Sequence, residues 1–270
     1  MTPIKTETVK TDGIVMPCAQ IGSGEKNLLI LPGLSIKQVT PMAEAVGTQY
    51  QGFLDNGYTI WIFDRRTNAP EGYSIWDMAD DTAAVMGFLG IETATVFGAS
   101  QGGMIAQCLA ITHSERVQRL ILGSTLSKHT PAFDEVVNTW IGLAEERDEE
   151  GLIESFGSYV YSPKAWRKFR EGVTAANRGI TEEEYNRFIL MAGTMFDFDC
   201  AYRLEEITCP AFVIGAQGDR VTGPDPLRAI AEKLHCKIYV YGKSYGHGVF
   251  DEAPDCPVRM LEFCEEAEEE

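Results

Sequence analysis

Positive charge is scarce in this chain: its 270 residues carry 23 Lys and Arg against 40 Asp and Glu, a formal net charge of −17. A surface of that sign repels phosphate backbones and gains nothing from anionic membrane faces, so neither nucleic acid nor a membrane is an expected partner. Long apolar runs are missing as well; none reaches the roughly 18–20 residues that a bilayer crossing needs. The opening MTPIKTETVKTDG has no apolar core of the kind a secretory signal requires, and the expected location is the cytoplasm. There are four histidines and no HExxH. Seven cysteines (Cys18, Cys108, Cys200, Cys209, Cys236, Cys256 and Cys264) make an odd set without a C-x-x-C pair. That pattern argues against a disulfide framework and a thiolate zinc site, and leaves reduced thiols packing as small hydrophobes. Neither a metal nor an organic cofactor is expected. Gly22-Ser23-Gly24 is not a dinucleotide loop, because Asn27 stands where a third glycine belongs.

What is present is a rhythm. Hydrophobic residues form 44% of the chain, enough for a sizeable core. Short apolar runs bounded by Gly, Pro or Asp read as buried strands at Asn27–Leu31, Thr59–Phe63, Thr93–Phe97, Arg119–Leu122, Ala211–Ile214 and Lys237–Tyr241. Ahead of them, runs near Thr6–Lys10 and Gly13–Gln20 suit an antiparallel hairpin. Helical patterns lie near 41–55, 74–89, 101–113, 226–234 and 252–265, with Ser74 and Asp77 spaced as a capping box. Alternation of this kind predicts an α/β fold with a mostly parallel sheet flanked by helices. From about 125 to 205 the rhythm fails and only helical patterns appear. Some eighty residues is too long for a loop, so the expected organisation is a core of 1–124 and 206–270 with a helical insertion at 125–205.

One strand runs into chemistry. Gly98-Ala99-Ser100-Gln101-Gly102 fits G-x-S-x-G between a β-branched, aromatic strand and a helical pattern. A sharp strand-to-helix turn strains the backbone at the serine, and small neighbours relieve the crowding. Ser100 is therefore the candidate nucleophile, with the helix N-terminus positioned to favour an oxyanion. Two N–H donors are needed: Gln101 supplies one, and Leu34, after Pro32-Gly33 at the end of the third strand, is the candidate for the other. His247, in KSYGHGVF beyond the last strand, is the candidate base. Asp219, after the strand Ala211–Ile214, is the candidate orienting carboxylate, with Asp225 behind it. Donor loop, Ser, Asp and His each end a strand, in that order.

These residues resemble the α/β-hydrolase superfamily, in particular its compact esterase and enol-lactonase-like members. The resemblance runs through LLILPGLS, IFDRR, VFGASQGGMIA, VIGAQGDRV and YGHGVFDEAPD, and is weakest over the insertion. It implies an eight-stranded sheet, a Ser100–Asp219–His247 triad, backbone donors at Leu34 and Gln101, and a cap formed by the insertion. Two departures stand out: Pro32 replaces the histidine many relatives carry in the donor loop, and Asp64-Arg65-Arg66-Thr67 replaces Asp-x-Arg-Gly.

The expected activity is hydrolysis of a small-molecule carboxylic ester or lactone through an acyl-enzyme, rising as His247 loses its proton. A ligand receptor with slow turnover, or acyl transfer to an acceptor other than water, are the alternatives. Dehalogenation is disfavoured because its relatives carry Asp where this chain has Ser100. Trp140, Phe156, Met195 and Phe196 are candidates for an apolar acyl pocket, against the commoner reading of core packing. Arg65 and Arg66 could recognise a substrate carboxylate; a surface or an ion-pairing position is the commoner role.

Overall fold

A computed structural model of the chain describes residues 2–266, so the last four residues of the acidic tail lie outside the described residues. The chain opens with a hairpin, β1 (Ile4–Thr11) and β2 (Ile14–Ile21), whose Asp12 and Gly13 take φ of 47° and 76°. Such a turn matches the right-handed twist of its strands. β3 (Lys26–Leu31), β4 (Tyr58–Phe63), β5 (Ala94–Ala99), β6 (Val117–Gly123), β7 (Ala211–Ala216) and β8 (Lys237–Tyr241) follow. Together they form an eight-stranded sheet in the order β1-β2-β4-β3-β5-β6-β7-β8, parallel from β4 to β8 and antiparallel within the hairpin and where β2 joins β4.

The period of two in the strands supplies two cores. Leu29 and Leu31 of β3, Trp61 and Phe63 of β4, and Val96 of β5 face one apolar cluster; Leu28, Ile30, Ile60, Ile62 and Phe97 face the other. Helices α1 (Ala43–Gln49) and α2 (Gln51–Asp55) lie on the second face; α3 (Ile75–Phe88) and α4 (Gln101–Thr112) cover the first. Ser74 and Asp77 do form a reciprocal capping box at α3. The stretch at 41–55 is not one helix. A 3-10 turn at Thr40–Met42 precedes α1, and α1 and α2 part at Tyr50, whose ring packs on Phe53 and Phe97.

Between β6 and β7 stand α5 (Pro131–Glu145), α6 (Glu149–Val160), α7 (Pro163–Asn177) and α8 (Glu182–Gly193). Each starts on a side-chain cap, from Thr130, Asp148, Ser162 and Thr181, with proline in the first turn of α5 and α7. The two ends of this segment meet at a neck: Lys128 bridges Asp199 across an antiparallel pair, with their side chains 2.9 Å apart, and Cys200 N–H donates to Ser127 O at 2.8 Å. Its apolar residues Phe133, Val137, Leu152, Phe188 and Met191 share the cluster that holds Met104 and Leu109 of α4. The insertion is thus continuous with the sheet's own core.

After β7 come α9 (Asp225–Leu234), then, past β8, α10 (Val249–Glu252) and α11 (Cys256–Glu265). Extended Ala253 before Pro254 divides the stretch expected as one helix, since a residue preceding proline is pushed out of the α region. Glu265 and Glu266, which open the acidic tail, are engaged with Lys26 and Lys237. Among the described residues no helix is long and apolar enough to cross a membrane.

Candidate active site

Ser100 joins β5 to α4 with φ 51° and ψ −118°, a conformation that costs a side-chain-bearing residue on the order of 1–3 kcal/mol. Neighbours hold it there: Ser100 N–H donates to Gly123 O at 2.8 Å, and Ser100 O accepts from Thr125 Oγ1 at 2.7 Å and Gly103 N at 2.9 Å. The small residues around it have steric causes. A Cβ on Gly102 would lie 1.9 Å from Leu31 O, and one on Gly98 would lie 2.4 Å from Gly102 O. The elbow therefore approaches the end of β3 as closely as glycine allows.

That approach brings the donor loop to the serine. A Cβ built on Gly33 would stand 3.2 Å from Ser100 Cβ and 3.8 Å from its Oγ. The Leu34 N–H next along donates to no acceptor among the described residues. Gln101 is the first residue of α4, where helical geometry leaves N–H groups without intrahelical partners. Farther along the loop, buried Asp64 accepts from Thr40 N at 2.8 Å and from Val39 N at 3.0 Å.

Asp219 and His247 are in direct contact. His247 Nδ1 is 2.8 Å from Asp219 Oδ2, and the two side chains are 5% and 0% exposed. Asp219 also accepts from Thr222 Oγ1 at 2.8 Å, Val221 N at 2.8 Å and Thr222 N at 3.0 Å. Burial works to raise its pKa, but the charge of His247 and these donors outweigh it and hold the carboxyl below its ordinary value. In strand order β8 stands three places from β5, yet the loop after β8 swings back across: Phe250 meets Phe97 of β5 edge-on, with ring centroids 5.7 Å apart. His247 and Ser100 thus share the carboxyl rim, but no hydrogen bond joins them. The insertion leans on the same loop, with Gly248 N–H donating to Val160 O at 2.8 Å and Arg220 donating to Ser158 O.

The remaining candidates fall elsewhere. Asp225 is exposed and paired with Arg228; His113 pairs with Asp80, His129 with Asp134, and His235 ends α9. Arg66 pairs with Asp81 at 3.2 Å. Arg65 corrects its surface reading: it is buried, and its guanidinium donates to Pro32 O and, at 3.3 Å, to Gln101 Oε1. Desolvation lowers its pKa to about 10. A cleft of about 1550 Å³ opens beside the donor loop, walled by Ile36, Val46, Phe156, Phe169, Arg187 and Asp251 among others; neither Ser100 nor His247 belongs to its wall. Of the four pocket candidates, Phe156 lines this cleft. Trp140 and Met195 are instead buried in the core, Trp140 against Phe156 with centroids 4.7 Å apart, and Phe196 packs on that core. The sidedness of each helix, invisible in composition, decides this.

Several contributors escaped sequence reasoning. Thr222 had a local signal, since a carboxylate followed by N–H groups two and three residues on forms an Asx-type turn. Asp251 had none. It is exposed on the cleft wall, receives Tyr161 Oη–H at 3.3 Å, and desolvation by the surrounding cleft raises its pKa to about 6. Among the described residues no group of three or more His, Cys, Asp or Glu side chains could hold a metal ion.

Comparison with known proteins gives these elements a setting. A family model described as alpha/beta hydrolase fold matches residues 49–254. A protein of Caulobacter sp. (strain K31), provisionally named carbamate hydrolase RutD, is 23% identical over 209 residues, covering 73% of this chain and 77% of its own. Among solved structures, MGS-M2, an alpha/beta hydrolase enzyme from a Medee basin deep-sea metagenome library, superposes with a TM-score of 0.86 at 17% identity over 98% of this chain and 99% of that one. The enol-lactonase from Burkholderia xenovorans LB400 does so with 0.80 at 18% identity over 96% and 100%. At these identities the structural likenesses establish the fold.

Proposed function

This chain belongs to the alpha/beta hydrolase fold family, and from that premise we propose that it is a serine hydrolase cleaving a small-molecule carboxylic ester or lactone through an acyl-enzyme. Ser100 Oγ attacks the carbonyl carbon as His247 Nε2 takes its proton. The tetrahedral oxyanion accepts the N–H groups of Leu34 and Gln101. His247, now a cation stabilised by Asp219, returns the proton to the leaving alkoxide. A water deprotonated by the same imidazole then releases the acid and frees Ser100. Every step is a proton or acyl transfer among groups of the chain, the substrate and water.

One observation carries the reading: a buried His247–Asp219 pair, 2.8 Å apart, on loops that return to the strand bearing a strained serine. A carboxylate held ionised against Nδ1 leaves Nε2 as the basic nitrogen. The enol-lactonase and carbamate hydrolase names of similar proteins favour a carbonyl carbon bearing a heteroatom leaving group. The segment 125–205 is read as a cap, and the apolar cleft beneath α7 and α8 as the approach for the acyl or leaving part.

Steady-state hydrolysis of p-nitrophenyl esters and simple lactones tests this. Wild type is expected to turn over many equivalents, and Ser100→Ala to lose on the order of 10⁶ in rate. Near-stoichiometric product from wild type would instead favour a ligand receptor. Ester products formed with added alcohols would favour an acyltransferase.

A further inference from the structure

Four distant stretches of chain meet in a polar chain that the hydrolytic scheme above does not use. Gln101, already assigned a backbone donor, has a wholly buried side chain. Its Nε2 donates to Met191 O at 2.6 Å and to Thr194 Oγ1 at 3.3 Å, at the end of α8. Its Oε1 accepts from Arg65 Nε at 3.3 Å, and the same guanidinium donates to Pro32 O, two residues before Leu34. Thr194 Oγ1 itself donates to Met191 O at 2.7 Å, closing the upper end. A second grip lies on the far side of the donor loop, where Arg187 of α8 donates to Ile36 O at 2.7 Å.

Two features set this network apart from ordinary packing. Arg65 is buried with its guanidinium bonded to a carbonyl and an amide oxygen rather than to a carboxylate, the Asp64 charge acting on it without a direct bond, an arrangement that core packing alone disfavours. One of these side chains also belongs to a proposed oxyanion donor, Gln101, and the other is bonded to Pro32 O, two residues before the second donor, Leu34. A methionine or leucine at position 101 would fill the volume but leave Met191 O and Arg65 Nε without these partners.

We propose that Gln101 and Arg65 are positioning residues that lock the two oxyanion donors in register with the seated insertion: displacing the end of α8 releases Gln101, and through Arg65 slackens the Pro32–Leu34 loop. The inference rests on the reading of Ser100 as nucleophile. Geometry of this kind acts on the transition state, because a donor misplaced by about 1 Å costs on the order of 10²-fold.

The test compares wild type with Gln101→Met, Arg65→Met and Arg65→Lys, all checked for native near-ultraviolet dichroism. Three quantities are read: kcat, KM, and affinity for an alkyl boronic acid, whose adduct with serine carries a tetrahedral anion, against the matching unreactive methyl ketone. Gln101→Met and Arg65→Met are expected to lose about 10–100-fold in kcat and in boronate affinity, with KM and ketone affinity within about threefold of wild type. Arg65→Lys, which keeps charge and one donor for Pro32 O, should recover part of the loss. Parallel changes in KM and ketone affinity, or boronate binding unchanged, would overturn the proposal. Should the Met variants fail to fold, Thr194→Val removes the two Thr194 hydroxyl bonds, from Gln101 Nε2 and to Met191 O, while keeping Gln101 Nε2 on Met191 O, and should give the same split at smaller amplitude; an unchanged kcat and boronate affinity there also overturns it. A fluorophosphonate adduct on Ser100 of wild type keeps the two questions apart, since its absence condemns the nucleophile reading whatever these variants do.

Discussion

Asp219 uses both oxygens twice over, accepting two backbone N–H groups, the Thr222 hydroxyl and His247 Nδ1. Asn in its place would turn a donor toward donors and favour the wrong imidazole tautomer. Asp219→Asn is expected to lose about 10⁴ in kcat. Because the folded carboxyl sits below its ordinary pKa, ionised Asp219 stabilises the fold above the unfolded value, near 3.9, and that contribution fades as pH falls through the folded value. The urea midpoint of wild type should therefore exceed that of Asp219→Asn by a constant margin above about pH 5 and by a shrinking one below about pH 4. Asp251 has the opposite sign. Its folded pKa is raised to about 6, so its relative contribution is full below the unfolded value and lost as pH rises to about 6. Asp251→Asn should gain stability relative to wild type between about pH 4 and 6 and hold that gain above, by less than the shift implies because cleft solvent screens the charge. Midpoints that diverge the other way would contradict this. At this scale Ser100, Asp219 and His247 were legible as candidates because each ends its own strand. The side-chain roles of Gln101, Arg65 and Asp251 were not, because each depends on a partner more than thirty residues away.

Elements were legible where periodicity is strict. The six strands from β3 to β8 lie where apolar runs bounded by turn residues occur, β1 and β2 flank the turn at Asp12-Gly13, and Ser74 with Asp77 opens α3. The errors fall where tertiary packing overrides pattern, as at Tyr50, whose ring burial divides α1 from α2. Glycines give a contrast at the same scale. Gly102 has Leu31 O 1.9 Å from where a Cβ would stand, whereas Gly142 of α5 has nothing within 4 Å. Gly102→Ala should cost about 3 kcal/mol with loss of activity, since the elbow must move off β3. Gly142→Ala should add about 0.4–1 kcal/mol with activity unchanged. Chemical denaturation of both measures the difference, and equal effects would mean that the close approach at the elbow is not a constraint.

For the whole molecule, charge acts at a distance. With a net charge of −17, the chain repels an anionic substrate as it approaches, and salt screens that repulsion. kcat/KM for a carboxylate-bearing ester is expected to rise between about 10 and 200 mM salt, while that for a neutral ester of equal length stays flat. The fold class was readable at this scale from alternation alone. The cleft was not, because which faces of α7 and α8 turn toward the donor loop emerges only in three dimensions.

The central claim is that the serine at the elbow is the group that becomes acylated. Incubation of wild type with a fluorophosphonate, followed by peptide mass mapping, tests it most directly. The account predicts one adduct, on Ser100, lost in Ser100→Ala and strongly slowed in His247→Ala. An adduct on another residue, or none while ester hydrolysis continues, would contradict it.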